Sequence, residues 1–215
     1  MQENFLVLLP QMFMAIFVLM NPFSLLGIYL DITKKFSTDF KKKLLITMTV
    51  AVNVILFSFL FGGEIILQFF GIDLAGFTVA GGMLILLMGL SMVKAQNHES
   101  QHKSEEGEDA KSSPNPSSIG VVPLALPILA GPGTISVVIN NANIYNGFNG
   151  YLAISIGIIL VSIIVYVVFR FAGVISKKIG QIGLNIITRV MGLILMAISI
   201  DMIAKGLTHL FPTLL

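Results

Sequence analysis

The chain has 215 residues, of which 55% are hydrophobic and only 11% are charged, and its mean hydropathy is +0.92. This composition is typical of a multi-span membrane protein rather than a soluble domain. The net charge of +2 comes from basic residues that flank apolar stretches, so nothing indicates nucleic-acid binding. The absence of cysteine excludes disulfides, thiolate metal sites and cysteine nucleophiles.

The apolar stretches predict an all-α membrane protein with six transmembrane helices. A span needs about 20 apolar residues, and such stretches lie near residues 5–30, 44–63, 74–93, 119–142, 151–170 and 186–208. The segment 94–118 is rich in Ser, Glu, Gln and Lys, and we interpret it as a flexible polar cytoplasmic linker. It separates a first three-span repeat, 1–93, from a second, 119–215.

Basic residues predict the orientation of these spans. Twelve of the thirteen Lys and Arg residues fall in or beside the connections 31–43, 94–118 and 171–185, and only Lys205 lies on the other side. Positive charge marks the cytoplasmic side of a membrane protein. We therefore expect these three loops to be cytoplasmic and both termini to be periplasmic.

Two helix-breaking dipeptides interrupt the first and fourth spans. Asn21-Pro22 and Gly131-Pro132 lie 110 residues apart in uncharged, membrane-length stretches. A proline removes a backbone hydrogen bond that lipid cannot replace, so such a break must be buried in protein or line a cavity. Breaks at corresponding points of two half-chains are typical of a transporter binding site. The alternative is that both are packing kinks, since Pro and Gly are common in membrane helices.

The 110-residue offset also indicates an internal repeat. Under this offset Thr78, Gly82 and Met92 match Thr188, Gly192 and Met202, although an apolar composition gives some matches by chance. The five-lysine loop 31–43 matches the uncharged stretch 141–153. Equivalent loops on opposite sides of the membrane should differ in charge in this way. We therefore predict two inverted three-helix repeats.

The chemistry of the two breaks predicts a site for a small zwitterionic solute. In an inverted repeat the half-helices after the two prolines present their N-terminal ends, and thus positive dipole ends, to the membrane interior. Two such ends can hold a carboxylate without a charged side chain. The glycines let a ligand approach the backbone, while the hydroxyl and amide side chains offer hydrogen bonds. The predicted substrate-binding residues are Asn21, Pro22, Ser24, Gly131, Pro132, Gly133 and Thr134.

Three further polar residues inside the spans are candidates for coupling or for lining a cavity. Asn53 lies midway along the second span, where an interhelical hydrogen bond is an equal alternative. Asn140 belongs to the outer end of the fourth span. Asp201 is an intramembrane acid, which suits proton or sodium coupling. However, it lies near the outer interface, four residues before Lys205, and is placed to pair with it on one helix face.

One enzyme motif occurs, in an unsuitable context. His98-Glu99-Ser100-Gln101-His102 fits the zinc-protease pattern H-E-x-x-H. Its flanks are polar and charged, with no apolar face to bury such a helix. We therefore expect no catalytic residue, no metal and no cofactor, and an intramembrane zinc protease is a remote alternative.

The chain resembles the MarC family of integral membrane proteins. Residues 119–127 read IGVVPLALP, residues 130–136 read AGPGTIS, and residues 186–193 read IITRVMGL, all similar to stretches of that family. Asn21-Pro22 lies where the family has its first-span Asn-Pro. The resemblance implies a six-span protein of the bacterial inner membrane, and a similarity to a wider group of amino-acid exporters.

From the residues and the resemblance together, we predict a secondary transporter of a small polar solute such as a neutral amino acid. The expected partners are the lipid bilayer, the solute and, as a coupling ion, a proton or sodium. A homo-oligomer is compatible with the sequence. The alternative is a membrane protein that does not transport and serves in assembly or regulation.

Overall fold

The computed structural model describes residues 5–34, 36–94 and 129–211 of the chain. These residues form seven α-helices and no strand, which confirms the all-α fold class. In chain order the helices are α1 (Phe5–Met20), α2 (Leu26–Thr33), α3 (Thr38–Phe69), α4 (Leu74–Val93), α5 (Pro132–Ile144), α6 (Phe148–Arg170) and α7 (Ala172–Leu210).

Four of these helices, α3, α4, α6 and α7, are long and apolar enough to cross a membrane. The apolar helix α1 has 16 residues and is followed by the break that the sequence predicts. Large apolar side chains cover the outside of the bundle, and Phe61, Phe69 and Ile182 are each more than 60% exposed. An exposed apolar surface of this extent is stable in lipid and not in water.

Side-chain caps fix where the long helices of the first half begin. α3 starts after Ser37, whose hydroxyl accepts a hydrogen bond from the backbone N–H of Phe40 at 3.3 Å. α4 starts after Asp73, whose carboxylate accepts from the N–H groups of Ala75 and Gly76 at 2.7 and 3.3 Å. Both caps satisfy N–H groups that a helix leaves unpaired in its first turn.

The predicted loops 31–43 and 171–185 are mostly helical, and this part of the prediction is wrong. Residues 171–185 belong almost entirely to α7, whose only non-helical backbone lies at Gly180, with φ +70° and ψ 169°. α3 extends beyond the predicted span 44–63 at both ends. The prediction placed helix ends where charge begins, but a helix satisfies its own backbone in water as well as in lipid, so it continues past the apolar stretch.

The closest helix packing joins α4 to α7. A Cβ atom added at Gly82 would lie 3.1 Å from the carbonyl oxygen of Ser199, and one added at Gly89 would lie 2.8 Å from that of Gly192. As the residue number rises along α4, the contact number falls along α7, so the two helices run antiparallel. Small residues allow this backbone approach, which is a common way for membrane helices to associate.

Two buried apolar clusters form the interior. The larger one joins α1, α2, α3, α5 and α6, with members of α7 at its edge. The smaller one, here called the α4–α7 cluster, consists of Val18, Leu19, Ile85, Met92, Val137, Leu195 and Met202. This smaller cluster lies against both predicted breaks and therefore positions the candidate site.

Candidate functional site

The first break separates α1 from α2 over residues 21–25. The N–H of Asn21 still donates to the carbonyl oxygen of Phe17 at 3.0 Å, as in a helix, but its own φ is +32°. Asn21 is the one non-glycine residue with positive φ in the described part of the chain. Asparagine tolerates this left-handed backbone better than most residues, which explains how the chain turns away from α1 at this point.

The side chain of Asn21 is buried and only half satisfied. The residue is 2% exposed, and its Nδ2 donates to the sulfur of Met92 at 3.5 Å, a weak acceptor. Its Oδ1 is buried and has no hydrogen-bond partner among the described residues. A buried acceptor without a partner lowers the stability of the fold by about 1–3 kcal/mol. The first break therefore contains an acceptor that a ligand with a hydrogen-bond donor could satisfy.

The other residues of the first break are less exposed to a ligand than the sequence suggests. Pro22 is buried and begins the turn between the two helices. Ser24 is half-buried, and its hydroxyl donates to the carbonyl oxygen of Asn21 at 3.0 Å. This bond satisfies a carbonyl that α1 leaves free at its end. α2 then begins after Leu25 without a side-chain cap.

The second break places Gly131 and Pro132 at the start of α5. Gly131 is the N-cap residue, with an extended backbone and no side chain to cap the helix. Pro132 occupies the first turn, where its missing N–H costs nothing. Because Pro132 lacks an N–H, Gly133 and Thr134 supply the first N–H groups at this positive helix end.

Gly133 and Thr134 are both buried. A Cβ added at Gly133 would lie 2.7 Å from Cγ1 of Ile85 and 3.6 Å from Cδ2 of Leu19, so only glycine fits without a shift. The hydroxyl of Thr134 donates to the carbonyl oxygen of Leu129 at 3.4 Å, a long hydrogen bond. Thr134 therefore closes the turn before α5 in the same way that Ser24 closes the turn after α1.

Helix α4 brings the two breaks together. Met92 contacts Asn21 of the first break, and Ile85 contacts Gly133 of the second. These two α4 residues are seven positions apart, which is about 10 Å along a helix. Ile85 and Met92 both belong to the α4–α7 cluster, so the two breaks border the same buried region.

An apolar cavity of about 350 Å³ adjoins the second break. It lies between α3, α4 and the start of α5, and its walls include Phe59, Phe77, Leu84 and Pro132. Ser136 is the polar side chain among its lining residues. The cavity thus offers apolar space beside Pro132, whereas Asn21, Gly133 and Thr134 are not among its lining residues.

The remaining candidates lie apart from this arrangement. Asn53 is half-buried, and its Nδ2 donates to the carbonyl oxygen of Thr49 on its own helix, at 2.8 Å, rather than across to a neighbour. Asp201 is exposed and forms the predicted ion pair with Lys205, with Oδ2 and Nζ 2.7 Å apart. Neither side chain contacts a break.

Asn140 joins two helices beyond the second break. Its Oδ1 accepts a hydrogen bond from the hydroxyl of Thr78 on α4, at 3.1 Å. Sequence reasoning missed Thr78 and also Met92 as partners of predicted site residues. Both carry a signal in the sequence, since Thr78 and Met92 match Thr188 and Met202 under the 110-residue offset.

The zinc-protease pattern at His98 and His102 lies outside the described residues. Within the described ranges, no group of three or more His, Cys, Asp or Glu side chains is placed to hold a metal ion.

Comparison with known proteins decides the family. The profile described as MarC family integral membrane protein matches residues 6–211. The chain belongs to the MarC family. It is 36% identical over 204 residues to the UPF0056 membrane protein YhcE of Escherichia coli, covering 94% of this chain and 93% of that protein. It is 34% identical over 202 residues to the UPF0056 membrane protein YvbG of Bacillus subtilis, covering 94% and 95%.

A third MarC-family relative, a UPF0056 membrane protein of Aquifex aeolicus, is 33% identical over 208 residues, covering 97% of this chain and 96% of that protein. No solved structure matches the chain. The family match and the four helices able to span a membrane establish an integral membrane protein. The names of these relatives describe membrane proteins and mention no reaction.

Proposed function

We propose that this MarC-family protein is a secondary transporter of a small polar solute, most directly a neutral amino acid. The observation that carries the proposal is the side chain of Asn21, which is 2% exposed at a helix break and whose amide oxygen has no partner among the described residues. The turn by itself does not require this amide, because glycine would allow the same positive φ without the cost of burying a polar side chain. A solute ammonium group would satisfy the oxygen as a donor.

The second break supplies the opposite end of the proposed site. The N–H groups at the start of α5 have no side-chain cap, and the helix dipole places about half a positive charge there. A solute carboxylate suits this position. The close fit of Gly133 against Ile85 and Leu19 keeps the α5 terminus against the core. The roles proposed for Pro22, Ser24, Gly131 and Pro132 are to shape the turns.

The apolar cavity is proposed to limit the solute's own side chain. Phe59, Phe77 and Leu84 offer no hydrogen-bonding group, so a charged side chain would lose its hydration there. Small neutral amino acids therefore suit the site better than acidic or basic ones.

Two inverted three-span repeats are the proposed architecture, and the α4–α7 packing supports them. Gly82 lies against Ser199 and Ile203, while Gly192 lies against Gly89 and Val93. Under the 110-residue offset, Gly82 corresponds to Gly192, Ser199 to Gly89 and Ile203 to Val93. The two sets of contacts are therefore equivalent. Since α4 and the matching part of α7 also run antiparallel, equivalent helices point in opposite directions, as inversion requires.

The proposed six spans add the interrupted first and fourth spans to the four long helices. The repeats would comprise residues 1–93 and 119–215, joined by the linker 94–118. The basic segments 31–43, 94–118 and 171–185 are proposed to be cytoplasmic and both termini periplasmic, in the inner membrane of a bacterial cell. A proton or sodium ion is the proposed coupling ion, with Asp201, Asn53 and Asn140 as the polar residues to test. Association of copies is a further possibility that the proposal does not require.

Counterflow in proteoliposomes tests the proposal, with labelled glycine, alanine, serine and threonine as probes. We expect exchange by the parent protein and loss of exchange in Asn21→Ala and Thr134→Ala. Asn21→Gly keeps the left-handed backbone and removes only the amide. A hydrogen bond to a charged group contributes about 1.5–3 kcal/mol, so half-maximal exchange should need roughly tenfold to hundredfold more solute in this variant.

Asn141→Ala is the matched control. Asn141 bonds to the carbonyl oxygen of Val137 on its own helix, at 2.8 Å, and its removal should leave exchange unchanged. No exchange by correctly inserted parent protein would reject these four solutes. Folded site variants that preserve the cellular phenotype would favour the non-transporting assembly or regulatory protein. If the purified parent protein held stoichiometric zinc and His98→Ala lost it, the intramembrane zinc protease would be favoured instead.

A further inference from the structure

A second cavity, of about 150 Å³, lies where α2 ends, α3 begins and α6 meets α7. Its lining residues include three cations, Lys41, Lys42 and Arg170, and the hydroxyl-bearing side chains of Tyr29, Thr33 and Thr38. Tyr29 and Phe169 both line this cavity, and their rings stack with centroids 4.9 Å apart, so this part of the wall is well packed. We refer to it as the basic cavity.

None of the three cations of the basic cavity forms an ion pair with another described residue. Among the described residues, the one ion pair within 4.0 Å joins Asp201 to Lys205, far along α7. Lys41 and Lys42 also lie near the N-terminal end of α3, which begins at Thr38. Cations near the positive end of a helix dipole are unfavourable. Asp39, in the first turn of α3, offsets part of this charge, and a bound anion would offset more of it.

The position that matches Gly173 in the first half of the chain provides a comparison without the cations. Subtracting 110 from Gly173, which lines the basic cavity, gives Gly63. A Cβ added at Gly63 would lie 2.5 Å from Cγ1 of Ile139, so that space is filled. A Cβ added at Gly173 would meet nothing within 4 Å. At these two positions, the exposed Gly173 therefore faces open space, whereas the buried Gly63 faces a filled interior.

The depth of the basic cavity matches the edge of the membrane. The apolar part of α3 begins at Leu44, directly after Lys41, Lys42 and Lys43. The hydrocarbon core ends where such a charged cluster begins, so the cavity lies at the level of the lipid headgroups. Basic pockets between helices at this level are suited to anionic headgroups.

We propose that the basic cavity binds a phosphate group, delivered by the headgroup of an anionic lipid. A soluble phosphate would present the same chemistry, and the experiment separates the two sources. The proposal depends on membrane insertion and not on the transport function.

Native mass spectrometry of the detergent-solubilised full chain measures the binding of phosphatidylglycerol and, for comparison, zwitterionic phosphatidylcholine. Inorganic phosphate is added separately, as a competitor and as a stabiliser in thermal melts followed by circular dichroism. We expect one phosphatidylglycerol bound at least tenfold more tightly than phosphatidylcholine. Each cation near the membrane surface raises the affinity for an anionic lipid by about a factor of five. The triple variant Lys41→Gln, Lys42→Gln and Arg170→Gln should therefore bind phosphatidylglycerol roughly a hundredfold more weakly.

Two controls separate a site from general attraction. The triple variant Lys43→Gln, Lys177→Gln and Lys178→Gln removes the same charge from positions that do not line the cavity, and it should bind within about threefold of the parent. Gly173→Leu fills the cavity without changing charge and should abolish the preference for phosphatidylglycerol. Its fold is checked by its melting profile.

Equal losses in the two triple variants, or full binding by Gly173→Leu, would overturn the proposal. The same holds if the parent shows no preference for phosphatidylglycerol and no response to phosphate. Competition by millimolar inorganic phosphate, or stabilisation by phosphate alone, would keep the phosphate site and assign it to a soluble ligand.

Discussion

The amide nitrogen of Asn21 lies 3.5 Å from the sulfur of Met92, across 71 positions of the chain. This contact links the first helix break to α4, the helix that also contacts the second break. Because a thioether accepts hydrogen bonds only weakly, it orients the amide without competing strongly for it. Within the part of the chain that the structure describes, no donor bonds to the amide oxygen.

Met92→Leu tests whether this contact orients Asn21. The substitution nearly conserves volume and should lower the free energy of unfolding by less than about 1.5 kcal/mol, while removing the acceptor. We expect half-maximal counterflow to need several-fold more solute. Met202→Leu makes the same change at another methionine of the α4–α7 cluster, 110 positions later, and should leave exchange unchanged because Met202 is not the acceptor for Asn21. An equal effect of both substitutions would reduce the role of Met92 to packing.

Gly89→Ala should destabilise the protein by about 1–3 kcal/mol. The new Cβ would lie 2.8 Å from the backbone oxygen of Gly192, and backbone cannot move aside as a flexible side chain can. Thermal melts followed by circular dichroism at 222 nm measure the change, which suits a helical chain without tryptophan. Gly76→Ala is the control, because a Cβ there meets nothing within 4 Å. If both alanines were tolerated equally, the close packing of α4 on α7 would be in error.

The inverted orientation can be tested with cysteine labelling, since the chain has no cysteine of its own. Asp39 and Asn149 are exposed, lie in the first turns of α3 and α6, and are 110 positions apart. We expect Asn149→Cys to react with an impermeant maleimide in intact cells, and Asp39→Cys to react only after the membrane is opened. Labelling of both positions from the same side would contradict the inverted repeat.

Asp201→Asn should change the free energy of unfolding by no more than about 0.5 kcal/mol. Its ion pair with Lys205 is short at 2.7 Å, but the side chains are 60% and 59% exposed, and exposed pairs contribute little. Because Asp201 contacts neither break, we also expect solute exchange to be retained. Loss of ion-driven uptake with exchange preserved would show instead that Asp201 couples transport to an ion.

Local features of the structure followed from the sequence. The turn at Asn21-Pro22, the start of α5 at Pro132 and the ion pair between Asp201 and Lys205 each depend on residues that are close along the chain. Proline geometry and helix periodicity act over a few residues, so the local sequence is sufficient to predict these features. The sequence did not predict that α7 begins at Ala172, because the positions of charged residues indicate where the chain leaves the membrane and not where a helix ends.

The sequence by itself determined that this protein is a helical membrane protein of the MarC family, with Pro22 after the end of α1 and Pro132 at the start of α5. Only the tertiary structure decided which side chains meet there. Met92 against Asn21, Ile85 against Gly133 and the open space at Gly173 all depend on how helices distant in sequence cross. Apolar helix faces resemble one another in sequence, whereas their packing depends on the shapes of surfaces that form only when the bundle assembles.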